Sequence, residues 1–148
     1  MSSRLSTVAA DLPARLEAQP AETLRKVAVA VALLAVERTQ LADSRLEGAL
    51  QSLTNTTAVP PELRSAVQQA TDELDEIAWE AQDKADEGLL DQQDYQQAFR
   101  RARAAACVGF ALEPDALHAA LESVYEAQAA TGDLSVVREV VEHALSGQ

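Results

Sequence analysis

Two sets of side chains have the types and spacing for metal chemistry. Asp115, His118 and Glu122 fall at i, i+3 and i+7, and Glu139 and His143 at i and i+4, so a helix would put each set on one of its sides. Carboxylates and imidazoles placed that way suit a divalent ion, provided the last two helices bring both histidines together. A dinuclear carboxylate bundle needs two Glu-x-x-His pairs, whereas the nearest spacing here is Asp115-x-x-His118. Surface pairing is the simpler expectation, and neither a metal nor a cofactor is assigned. The acids elsewhere follow a helical pattern without the Asp-x-Asp-x-x-Gly loop of an EF-hand. Gly-rich phosphate loops, Cys-x-x-Cys, His-Glu-x-x-His and Gly-x-Ser-x-Gly do not occur. Cys107, the sole cysteine, sits beside Ala104, Ala105, Ala106, Val108 and Phe110, the setting of a buried, inert thiol. Neither histidine falls in a nucleophile–base arrangement, so no enzymatic activity is expected.

Charge carries a stronger signal. Between Glu62 and Asp94, eleven acids face only Arg64 and Lys84, which concentrates most of the chain's net charge of −12 in one segment. The part through Val59 balances six acids with six bases. Such a field attracts basic proteins or cations and repels nucleic-acid phosphates, and Arg100, Arg101 and Arg103 form only one short basic patch. On a helix from Pro61, the residues Leu63, Val67, Ala70, Leu74, Ile77, Ala78, Ala81 and Ala85 form an apolar stripe. Glu73, Glu76, Glu80, Asp83 and Glu87 form a second stripe of like charge, each neighbouring pair costing a few tenths of a kcal/mol.

Trp79, the only tryptophan, falls on the polar side with Asp72, Asp75, Glu76, Asp83 and Asp86 within one or two turns. A large rigid ring among carboxylates suits an incoming Arg or Lys through cation–π and charge-assisted contacts. The expected partner-binding set is therefore Asp72, Glu73, Asp75, Glu76, Trp79, Glu80, Asp83 and Glu87. Two plainer readings compete with it. In one the stripe serves only as a solvated face; in the other a turn at Gly88 brings Arg100, Arg101 and Arg103 alongside Glu76, Glu80 and Asp83, with Trp79 packed against that stretch.

The elements that must position these residues are helices. Ala, Leu, Glu, Gln and Arg dominate, aromatics are 3%, and five Gly and five Pro act as punctuation. Pro13 divides Leu5, Val8, Leu12 and Leu16 into two short pieces. Pro20 opens a helix to about Gln40 that buries Leu24, Val27, Val31, Leu34 and Ala35. Asp43 caps the next, with Leu46, Ala49, Leu50 and Leu53 inward. The long helix from Pro61 ends at Gly88. Another begins near Asp91 and carries Tyr95, Phe99, Ala102, Ala106 and Phe110. Pro114 precedes a helix with Leu117, Leu121, Val124 and Tyr125 inward, and Gly132–Asp133 opens the last, with Leu134, Val137, Val140, Val141 and Leu145. The sum is an all-α, irregular antiparallel bundle of six to seven helices in a single domain, 1–148, with a hinge at 54–61 around Pro60–Pro61.

No apolar run reaches the roughly 20 residues needed to span a bilayer. The N-terminus lacks a signal-type apolar stretch, so a cytoplasmic location without membrane or nucleic-acid binding is expected. The expected function is an acidic helical interaction protein docking on a basic protein partner, in the manner of an immunity or antitoxin-type inhibitor. The alternatives are an adaptor, scaffold or homodimer using a hydrophobic groove, and a helical metal- or ligand-binding protein centred on His118 and His143.

Overall fold

Punctuation residues set the helix ends. The structure, a computed structural model, describes residues 4–55 and 59–147. A 3-10 turn, Arg4–Thr7, precedes α1 (Leu12–Glu17), which carries Pro13 in its first turn, where the missing amide costs nothing. Pro20 stands at the N-cap of α2 (Ala21–Thr39), and Gln40 closes that helix in the left-handed region at φ 53°. Asp43 caps α3 (Ser44–Thr54) by accepting from the Arg45 amide. Pro60 precedes α4 (Pro61–Asp86). Gly88, at φ 77°, ends it with a Schellman arrangement, in which the Leu89 amide returns to the Lys84 carbonyl at 2.8 Å. Asp91 caps α5 (Gln92–Ala111), Asp115 caps α6 (Ala116–Thr131), and Asp133 caps α7 (Leu134–Leu145) after the left-handed Gly132. The hinge expected over 54–61 includes residues 56–58, which lie outside the described residues.

These helices pack as an all-α bundle, and no strand occurs among the described residues. α2 lies against α5, α6 and α7, α5 is held between α4 and α6, and α3 bridges α2 and α4. The core is made of Leu, Val and Ala: Leu5, Leu12, Leu16 and Leu46 are its largest fully buried apolar side chains, with Val27, Val31, Val67, Val108, Val124, Val137 and Val141. None of the five aromatic side chains enters it. Small residues let α2, α5 and α6 approach closely. Cys107 and Ser123 tie α5 to α6 reciprocally, each side chain donating to the other's carbonyl at 3.2 and 3.3 Å. Arg25 on α2 donates to the carbonyls of Ala111, Glu113 and Pro114, satisfying the carbonyl end of α5 from outside.

The apolar stripe expected on α5 is displaced. Ala102 is buried as expected, but the face that meets the core is Ala104, Ala105, Cys107, Val108 and Ala111, whereas Tyr95, Ala106 and Phe110 are half-buried and Phe99 is exposed. On α6, Tyr125 and Leu121 are likewise at the edge, and Ala119, Ala120, Ser123, Glu126, Ala127 and Ala130 point inward. Close packing selected the small residues, and the aromatic stripe was left beside them. On α4, Val67, Ala70, Ala78, Ala81 and Ala85 are buried as expected, but Ile77 stands in solvent.

Candidate functional site

Helix α4 and its antiparallel return through α5 place the acidic set. Asp75 accepts from Arg103 Nη2 at 2.5 Å, which fixes the register of the hairpin. The basic run does not line up with Glu76, Glu80 and Asp83 as a turn at Gly88 suggested. Only Arg103 reaches α4, while Arg101 Nε donates to the Thr39 carbonyl at 3.4 Å and Arg100 lies against Gly132. Glu73 is taken by Arg45, at 2.9 Å, and that guanidinium holds the Glu73 carboxyl below its ordinary range. Asp72 accepts from the Gln68 side chain at 2.9 Å. Glu76, Glu80, Asp83 and Glu87 are exposed and have no ion pair among the described residues. Trp79, in their midst, is 67% exposed. The alternative in which it packs against the arginine stretch is not met, because Arg103 turns inward to Asp75 and Glu126.

An aromatic strip runs beside this face. Tyr95 and Phe99 are 6.3 Å apart, centre to centre, and the Arg103 guanidinium lies 5.8 Å from the Phe99 ring. Farther along α5, Phe110 meets His118 edge-on at 5.9 Å. The Arg4 guanidinium spans from Phe110 (5.6 Å) to Tyr125 (4.3 Å). Between α4 and α5 on this side lies a groove of about 210 Å³ lined by Thr71, Asp75, Arg103, Ala106, Gly109 and Phe110, among others. The sequence showed each aromatic residue. Nothing in the α5 stripe told that it would stay outside the core.

Beneath the strip is a charge cluster that the sequence reading missed. Glu126, fully buried, accepts from Arg103 Nη1 at 2.8 Å through Oε2, and its Oε1 is left to a longer contact with Arg4 Nη2 at 3.3 Å. Burial raises the Glu126 carboxyl above its ordinary range despite both arginines. Arg4 is held in addition by Glu122, at 2.9 Å from Nε. The available signal was positional: Glu126 shares a helix side with Ala119, Ser123 and Ala130, all buried.

The metal candidates are dispersed. Asp115 is spent on capping, accepting from the amides of Leu117 and His118 at 3.0 and 3.1 Å. His118 rests on Phe110, and Glu122 is paired with Arg4. Glu139 and His143 line a separate, mostly apolar groove of about 320 Å³ with Lys26, Ala30, Val140 and Ala144. Among the described residues, no three His, Cys, Asp or Glu side chains converge on a point that could hold an ion. No helix among the described residues is long and apolar enough to cross a membrane. Comparison with protein-family models, with curated proteins and with solved structures finds no significant match to this chain.

Proposed function

We propose that this chain is a non-enzymatic interaction protein whose acidic α4 face receives a basic protein partner, in the manner of an immunity or antitoxin-type inhibitor. The observation that carries this reading is Trp79, 67% exposed among Glu76, Glu80 and Asp83, which have no ion pair among the described residues. Leaving a large aromatic ring in water is unfavourable, and like charges on one helix repel, so both costs are relieved by the same event: a cationic surface closing over them. Long-range attraction would steer the encounter, and the ring would anchor the final complex.

The test is capture from the protein's own cell lysate at low and high salt, alongside Trp79→Ala combined with Glu76→Lys and Glu80→Lys. All three positions are exposed, so the variant should keep its fold, and circular dichroism checks that. A basic protein retained at low salt, released at high salt and lost in the variant supports the reading. An identical catch from both proteins removes it.

The groove holding Glu139 and His143 favours a second reading, self-association. Leu33 on α2 is exposed, and Lys26 and Glu139 at the groove have no ion pair among the described residues, so two copies could exchange charges across it. Sedimentation of the wild type and of Leu33→Glu decides this, a monomer in both cases ruling it out.

A further inference from the structure

Among the described residues, four of the five exposed large apolar side chains, Ile77, Trp79, Leu89 and Phe99, belong to the part of the α4–α5 hairpin nearest its turn. Trp79 is one turn beyond Asp75 on α4, and Phe99 is one turn before Arg103 on α5. The Asp75–Arg103 link therefore puts Trp79 and Phe99 at the same level of the seam, both toward Gly88. From there the strip continues through Tyr95 in one direction and through the groove at Ala106 and Gly109 to Phe110 in the other. At a rise of about 1.5 Å per residue, Tyr95 to Phe110 spans roughly 22 Å, the length of a helix of about 15 residues.

Resting on the proposed function, we infer that the partner presents a basic amphipathic α-helix, laid along the α4–α5 seam with its apolar side on Trp79, Phe99 and Tyr95 and its cations facing Asp72, Glu76 and Asp83. Three observations select that occupant. An added β-strand would need a sheet edge for its ladder, and a seam between two helices offers none, since their amides and carbonyls bond internally. The apolar positions recur at about one helical turn along the seam, the repeat that a second helix matches. The charge decides the sign: the basic side chains along the strip, Arg4 and Arg103, are already paired, whereas Glu76 and Asp83 are not. A second copy of the same hairpin would bring acid against acid, which excludes it from this seam.

The probe is a fluorescein-labelled synthetic peptide of about 18 residues with Leu at helical i, i+3, i+4 and i+7 positions and Lys elsewhere. Its control is an isomer of the same composition with the leucines scattered round the helix. The expected result is binding of the first peptide with a gain in its helicity and a blue shift of Trp79 emission, the isomer being at least tenfold weaker. Phe99→Ala with Tyr95→Ala should weaken the first peptide at least tenfold, and Leu33→Ala, off the seam, should not change it. Equal binding of both peptides, insensitive to Phe99 and Tyr95 yet lost at high salt, overturns the helical partner and leaves the acidic docking reading standing. Binding of neither peptide at low salt overturns both.

Discussion

At Glu126, burial and charge act in opposition. The folded protein holds the Glu126 proton more tightly than the unfolded chain does, because burial raises that carboxyl. Its contribution to stability therefore falls as pH rises from the ordinary glutamate value of about 4.3 through the raised one. Glu126→Gln should flatten that fall, read as urea midpoints between about pH 4.5 and about pH 8. Glu126→Ala should cost about 2–3 kcal/mol, since it leaves a cavity and removes one of the two carboxylates that hold Arg103, Asp75 remaining. Asp43, held low by its hydrogen bond from Arg45, has the opposite sign: its stabilisation is present above the ordinary aspartate value and is lost as pH falls through the lowered one. Cys107 is legible from its apolar neighbours alone. Burial pushes its thiol up, so a thiol reagent should leave the native protein unmodified and titrate one group after unfolding.

The helices show how far the sequence could be read. Their ends were legible because each is written in a residue with its own backbone chemistry: Pro20, Asp43, Pro61, Gly88, Asp91, Pro114 and Gly132–Asp133. Their faces were less so. On α5, apolar periodicity is satisfied twice, once by the aromatics and once by the alanines around Val108, and only the neighbouring helices decide between them. One consequence concerns the α4–α5 hairpin toward Gly88, where the buried positions Ala78, Ala81 and Ala85 lie outside the main core. Alanine contacts bury little area, so this end should open more readily than α2. Hydrogen exchange should show faster amides across α4 residues 76–86 than across Val27–Ala35, and equal protection would refute it. Gly88→Ala, at φ 77° with no atom within 4 Å, should meet no clash yet cost about 1–2 kcal/mol in backbone strain.

Across the whole molecule, the basic side chains tie distant parts of the chain together while the acids of α4 gather on one side. Arg15 pairs with Glu142 and Arg138 with Asp11, joining the N-terminal segment to α7. The single tryptophan reports the field on the acidic side: relative to their quenching of free tryptophan amide, caesium should quench Trp79 emission more efficiently than iodide, and equal or reversed relative efficiencies would show that no negative potential surrounds the ring. With a basic partner in hand, raising salt should slow association far more than it speeds dissociation, measurable by stopped flow. The charge asymmetry was legible in the sequence. That two of its acids, Glu73 and Asp75, are already answered from α3 and α5 was not, because those partners are 28 residues away along the chain.

Arg4 also dictates how the protein should be handled. It is clamped between Tyr125 and Phe110 and supplies a counter-charge to a carboxylate with no access to water. Labels are therefore better placed at Gly147, where an added Cβ meets no other atom within 4 Å, than beside Arg4.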